Sequence, residues 1–178
     1  MDPEAIAVTP VRLGLAATTS AGPWDADPTY DSGMTTLADV VDIGSHDGFL
    51  AVVSTLRLDG TIQSSVVNAG VLAHPVSGVD VVGFATYGKA KLTNLRSRPQ
   101  VSVTFRAGWK WATVEGRAEL VGPDDTCVGL DSETLRLLLR AVFTAAGGTH
   151  DDWDSYDQTM IEQGRTVVLV SPTRIYSN

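Results

Sequence analysis

The 178-residue sequence predicts a mainly β protein, an antiparallel barrel with a few helices around it. Six or so strand-like stretches follow one another mostly in hairpin order, with helical stretches inserted between them. Two of the strands are joined by Asp59-Gly60, a strong hairpin signal. There is no internal repeat, no Gly-x-Gly-x-x-Gly opening a helix after the first strand, and no Gly-x-x-x-x-Gly-Lys-Ser/Thr loop.

Residues 1–33 are rich in Ala, Thr, Pro, Gly and Asp without sustained periodicity, and read as a loose arm ahead of one domain at 34–178. Met34, a candidate natural start, opens a helix expected to carry Leu37, Val40 and Val41 on one face. Phe49 to Arg57 is the first strand and Thr61 to Leu72 its return, across a type I′ turn that needs positive φ at both Asp59 and Gly60. On the return strand Gln63, Ser65 and Val67 share one face, and Ser64, Val66 and Asn68 the other. Each face therefore offers a polar group to the edge of a heteroaromatic ring; taken alone, the same pattern describes a half-exposed strand with its hydroxyls in water.

A loop from His74-Pro75 to Ser77-Gly78 leads to the third strand, Val79 to Tyr87. Gln100 to Arg106 and Trp109 to Val121 are the next two, joined at Gly108, and Gly116 marks a bulge or the close approach of another backbone. After the break at GPDD, Ser132 to Ala146 is an amphipathic helix. Leu135, Leu138, Leu139 and Val142 follow the i, i+3, i+4, i+7 rule, with Arg136 and Arg140 on the opposite side. Gly147-Gly148 stops it. A further helix is expected from Thr149 as N-cap with Asp152 as its capping partner, and Trp153, Tyr156 and Met160 form its apolar stripe. Arg165 to Ser171 closes the chain as a last strand.

The stretch from Phe84 to Phe105, FATYGKAKLTNLRSRPQVSVTF, reads as strand, short helix, strand, with Arg98-Pro99 ending the helix. Lys89 and Lys91 fall at the helix N-terminus, directly after Gly88, where the helix dipole is already positive. Two ammonium groups there are unfavourable unless an anion joins them, so free backbone N–H groups and two lysines make a phosphate corner. Seven of the 13 basic residues but one of the 21 acids lie between Thr86 and Arg117. An acidic chain, −8 overall, with one basic segment suits a compact anionic ligand better than a nucleic-acid track. Arg96 and Arg98 fit a solvated helix C-terminus equally well.

No apolar run approaches a membrane span, and the N-terminus lacks a signal-peptide pattern, so the expectation is a cytoplasmic protein without a membrane or nucleic-acid partner. The lone Cys127 reads as a packing residue in a reducing compartment, and His46, His74 and His150 lie too far apart for a metal site.

The order LAVVSTLRLDGTIQSSVV, FATYGKAKLTNLRSRPQVSVTF, WATVEGRAEL, HDDWDSYDQTM and RTVVLVSPTRIY resembles the split-barrel flavin and deazaflavin oxidoreductases, the pyridoxamine 5′-phosphate oxidase-like superfamily, over about residues 45–176. K-x-K-x-x-N-L-R-x-x-P followed by V-E-G-x-A-E-L is more similar to the branch using coenzyme F-420 than to the branch using FMN. The resemblance implies a six-stranded antiparallel split barrel and a homodimer with the cofactor at the subunit interface. By position, Lys89 and Lys91 would hold the cofactor phosphate, and Thr86, Gly88 and Ala90 would frame its loop, supported by Asn94 and Arg96. Gln63, Ser64, Ser65 and Val66 would run along the ring system, with Asn68 further down the strand. No residue resembles the pyridoxal-phosphate contacts of the true vitamin oxidases, so pyridoxamine oxidation is not expected.

A deazaflavin or flavin performs the hydride chemistry itself, which fits a sequence with no catalytic triad or carboxylate dyad. The expected substrate is an unsaturated small molecule of enone, quinone or tetrapyrrole type. Tyr87, His74 and Arg106 are candidate proton donors, none of them singled out. FMN dependence on the same fold, and a non-catalytic carrier of deazaflavin or haem derivatives, are the alternatives. The leucine stripe at 135–142 and Trp109 with Trp111 are the apolar surfaces expected to support the homodimer.

Overall fold

The computed structural model describes residues 35–125 and 131–178, so the 1–33 arm, Met34 and Cys127 lie outside the described residues. Six strands form one closed antiparallel barrel: β1 (Leu50–Leu56), β2 (Ile62–Ala73), β3 (Asp80–Thr86), β4 (Gln100–Ala107), β5 (Lys110–Val121) and β6 (Thr166–Ser177), in the spatial order β1-β2-β3-β6-β5-β4. Its helices among the described residues are α1 (Leu37–Ser45), α2 (Lys89–Ser97), α3 (Ser132–Ala145) and α4 (Trp153–Glu162). The expected mainly β architecture and its six-stranded barrel are thus present. None of these helices is long and apolar enough to cross a membrane.

Alternation along β1 and β4 sends Val53, Val101, Val103 and Phe105 inward, where they meet Phe84, Val114, Val168 and Val170. Leu95 of α2 and Val40 and Ile43 of α1 join the same core. A second core lies outside β3 and β6, where Leu138, Leu139 and Val142 of α3 and Tyr156 of α4 cover Val81, Val167 and Leu169. Because both faces of these two strands are covered, VVGF and TVVLV read as continuous apolar runs rather than alternating ones.

Several details differ from the sequence-based expectations. Val41 is on the solvent side of α1, and Ile43 takes its place beside Val40. Phe49 precedes β1 in a left-handed conformation (φ 56°), following Gly48 at φ 60°. Among the described non-glycine residues only Phe49 has positive φ, so Asp59 does not and the type I′ turn is not formed. Gly60 alone is left-handed (φ 82°); its N–H donates to the Arg57 carbonyl and the Arg57 N–H donates to that of Thr61, a three-residue loop. The α4 N-cap is Asp152, not Thr149: its carboxylate accepts from the Ser155 N–H at 3.0 Å, leaving Thr149 outside the helix. Arg136 and Arg140, on the side of α3 away from its leucines, are half-buried. Both bind Asp157, clamping α3 to α4 and holding its carboxyl below the ordinary range, chiefly through the Arg140 hydrogen bond. The leucine stripe is spent on the barrel, so it is not available to a second subunit.

Strand β6 runs through Pro172, past the predicted end at Ser171. A register shift explains how: Gly116 pairs with Pro172 and Glu115 with Arg174, so Thr173 is an extra residue in a bulge, where proline's missing N–H is tolerated. A Cβ at Gly116 would lie 2.2 Å from the Ser171 carbonyl oxygen. Both expected roles of Gly116, bulge and close approach, therefore coincide. Gly116→Ala is expected to cost roughly 1–3 kcal/mol through overpacking against backbone. Urea unfolding should show a lower midpoint at unchanged slope; an unaltered midpoint would mean that the two strands part without cost.

Candidate functional site

Helix α2 follows β3 through Tyr87 and begins at Gly88, whose backbone (φ −69°, ψ 107°) any residue adopts. A Cβ there would meet nothing nearer than the Thr86 hydroxyl at 3.7 Å, so neither strain nor packing within the fold requires glycine. The Gly88 N–H is held by that hydroxyl at 3.3 Å. Beyond it the helix start is bare: no side chain caps it, no acid lies in its first turn, and two lysines do. The free N–H groups of that turn make this end of the helix electropositive, and the two lysine charges add to it.

The two lysines are not equivalent. Lys89 is exposed, whereas Lys91 is only 6% exposed. The Lys91 ammonium sits 5.3 Å from the centre of the Phe84 ring and has no carboxylate partner among the described residues. Burial pushes its pKa below the ordinary 10.5. What turns Lys91 inward is the packing of α2. Leu92 and Leu95 anchor the helix, and the buried Asn94 side-chain amide donates to the Thr55 hydroxyl and to the Gln63 amide oxygen, each at 3.0 Å. Lys91 lies one helical turn before Asn94, on the same side.

Strand β2 meets this arrangement with its inward residues. Gln63 is taken by Asn94, while Ser65, two residues on and on the same face, has a buried hydroxyl oxygen without a hydrogen-bond partner. A lysine only 6% exposed with no acid partner among the described residues, and a buried hydroxyl with no hydrogen-bond partner, thus share faces with the two ends of the Asn94–Gln63 contact. Such groups are costly unless something polar reaches them. On the outward face Ser64 bonds Ser54 at 2.8 Å, Val66 is exposed, and the Asn68 amide donates to the Gly48 carbonyl at 2.9 Å. Of the expected site residues, Thr86, Gly88, Lys89, Ala90, Lys91, Asn94, Gln63 and Ser65 therefore belong to α2 and its approach or to the strand face bonded to it. Ser64, Val66 and Asn68 belong to the outer face of the barrel.

Arg96, expected to support the phosphate loop, is paired with an acid. Its guanidinium makes a two-point contact with Asp125 at 2.7 and 2.8 Å, with Asp124 at 3.9 Å. Nor is the basic segment one patch: Arg98 donates to the Leu58 carbonyl, and Arg106 faces Asp47 at 3.8 Å. His74 is also committed, since Nδ1 accepts from the Val76 and Ser77 N–H groups and Nε2 pairs with Glu119 at 3.2 Å. Two residues at this end of the barrel escaped sequence reasoning. Thr55 sits on an apolar strand with no local signal, and Arg165, whose guanidinium carbon lies 4.1 Å from the Tyr87 ring centre, comes from the far end of the chain.

Two other concavities frame the site. An open groove of about 790 Å³ runs over the outer face, walled by Leu50, Val52, Val66, Trp109 and Trp111. A cavity of about 550 Å³ lies against α3 and α4, lined by Leu135, Leu139 and Met160 among others, and takes none of the expected site residues. Among the described residues no cluster of His, Cys, Asp or Glu has the makings of a metal site.

Lys91→Met tests the buried lysine. A lysine whose pKa is lowered by folding destabilises the folded state at neutral pH, and that cost is relieved as pH rises through the lowered value towards 10.5. In ligand-free protein at pH 7 the methionine variant is expected to be more stable in urea by on the order of 1 kcal/mol. Inorganic phosphate is expected to raise the melting temperature of the parent and to leave that of the variant unchanged. A variant less stable than the parent would show that the ammonium is a structural group.

Comparison with known proteins agrees with this architecture. The profile of the pyridoxamine 5′-phosphate oxidase family matches residues 46–178. Among solved structures, a conserved hypothetical protein from Mycobacterium tuberculosis superposes with a TM-score of 0.58 at 20% identity, over 81% of this chain and 84% of that one. An F-420 reductase gives 0.50 at 18% identity, over 83% and 98%. A pyridoxamine 5′-phosphate oxidase-related, FMN-binding protein from Nostoc punctiforme gives 0.52 at 12% identity, over 89% and 86%. At these identities the superpositions speak to the fold, and the profile speaks to the family. With a family match from residue 46 to the last residue and a closed six-stranded barrel beneath it, the chain belongs to the pyridoxamine 5′-phosphate oxidase family of split-barrel oxidoreductases.

Proposed function

We propose that the protein is a cytoplasmic, homodimeric oxidoreductase that uses coenzyme F-420 to reduce an unsaturated small molecule of enone, quinone or tetrapyrrole type. The observation that carries this reading is the bare N-terminus of α2, with Lys89 exposed and Lys91 buried beside it without an acid partner among the described residues. Lys89, Lys91 and the N–H groups of the first turn would hold the phosphate, and Gly88 leaves the approach open. The Ser65 hydroxyl supplies an unsatisfied polar atom for the ring system, and the Asn94–Gln63 contact holds strand and helix in place around it. When bound, the deazaflavin supplies a hydride at C5 for an activated double bond. The chain's own part is to bind, orient and exclude water. A structural relative described as an F-420 reductase supports the choice of cofactor; one described as FMN-binding keeps FMN as the second reading.

The dimer is supported by the outer face of β1 and β2. Leu50, Val52, Ile62 and Val66 are 43–64% exposed, and Trp109 at the neighbouring hairpin is 95% exposed. Together with the groove they flank, they form an apolar surface suited to a second copy. Light scattering at micromolar concentration is expected to give a dimer, and Val52→Arg a folded monomer. A monomeric parent would remove the interface from this account.

Cofactor choice is tested by paired fluorescence titrations with F-420 and FMN at low and high ionic strength. F-420 continues past its phosphate into a glutamate tail, so it should bind more tightly than FMN, with a gap that narrows as salt screens the tail. Tighter binding of FMN would put the second reading in place of the first. Tight F-420 binding without reduction of any acceptor would point to a carrier.

A further inference from the structure

Two cations of the basic 86–117 segment, Arg96 and Arg106, face acids of their own. Another cation lies beside the phosphate corner. Thr86 at the end of β3 pairs with Thr166 at the start of β6, which brings the residues just outside that pair, Tyr87 and Arg165, together. Tyr87 is 57% exposed and immediately precedes Gly88, the N-cap of α2. The Arg165 guanidinium carbon stands 4.1 Å from the centre of the Tyr87 ring, and its Nε donates to the Gln163 side chain at 2.8 Å. The backbone behind it is fixed as well, since the Arg165 N–H donates to the Met160 carbonyl at 3.0 Å.

Among the described residues Arg165 makes no ion pair, and its terminal nitrogens hold no hydrogen-bond partner. A guanidinium stacked on a ring and tethered through Nε keeps its outer fork available for a two-point contact, and little of its freedom remains to be lost on binding. That is the chemistry of carboxylate recognition, next to a helix start whose geometry favours phosphate. FMN ends at its phosphate and has nothing to place there.

We infer that Arg165, stacked on Tyr87, forms a second anion subsite that receives a carboxylate attached beyond the phosphate, and so selects a cofactor with an acidic tail over FMN. The inference rests on the cofactor reading above and sharpens it, because it names a cation outside the basic 86–117 segment, just ahead of β6, for the tail contact.

The test compares the parent with Arg165→Gln, Arg165→Lys and Tyr87→Ala in fluorescence titrations, using F-420 with its full tail, F-420 trimmed to one glutamate, and FMN. Thermal melting confirms that each variant is folded. Arg165→Gln is expected to weaken full-tail F-420 roughly tenfold, the size of one contact to an ionised group, and to flatten its salt dependence. FMN affinity should be unchanged. Arg165→Lys should recover part of the loss, since it restores charge but not the fork, and Tyr87→Ala should lose part by freeing the guanidinium. Equal weakening of F-420 and FMN would make Arg165 a phosphate or structural group and overturn the subsite. So would an Arg165→Gln protein that binds full-tail F-420 as tightly as the parent. A parent that binds no F-420 overturns the cofactor reading itself, a result visible before any variant is made.

Discussion

The functional end of this barrel depends on one buried amide. Asn94 donates both of its side-chain hydrogens, one to Thr55 on β1 and one to Gln63 on β2, so α2 is tied to two adjacent strands by a side chain only 8% exposed. Leu92 and Leu95 supply the apolar anchoring, but apolar contacts alone are non-directional. It is the pair of hydrogen bonds that fixes how the helix is rotated. Given that rotation, Lys91 must turn inward, Lys89 must turn outward, and the first-turn N–H groups must end beside the junction of β3 and β6.

The consequence is electrostatic. The fold places a buried lysine at the positive end of a helix dipole and gives its ammonium an aromatic face but no carboxylate among the described residues. Elsewhere the same chain neutralises charges that bridge its elements: Asp157 is held by two arginines, and Arg96 is matched by Asp125. The contrast separates structural charges, which are paired, from the α2 corner, which is left short of an anion. The unsatisfied Ser65 hydroxyl belongs to the same pattern. These local deficits are the physical content of the site, since a phosphate and a polar ring edge would relieve both.

Much of this was legible in the sequence where the signals are local. Gly88 before Lys-x-Lys and Arg98-Pro99 after it bound α2 as the structure does, and the alternation in TIQSSVVN sorts Gln63 and Ser65 from Ser64, Val66 and Asn68. Local pattern misleads where pairing between distant segments decides. Pro172 looks like a strand end, yet the strand continues because β5 supplies a bulge partner. The leucines of α3 look like a surface for another subunit, yet the outer face of β3 and β6 consumes them. The high positive charge of the 86–117 segment looks like one patch, yet acids from other elements take up part of it. Arg165, one residue ahead of β6, becomes a neighbour of Tyr87 only when the barrel closes.

In the proposed function the N-terminus of α2 holds the cofactor's phosphate. Backbone amide NMR during a titration with F-420 tests it most directly, because each N–H reports on its own surroundings. The account predicts that the largest shifts fall on Gly88, Lys89, Ala90 and Lys91, with Ser65 following. Shifts centred instead on Leu135, Leu139 and Met160 around the α3–α4 cavity, with the α2 amides unmoved, would contradict it.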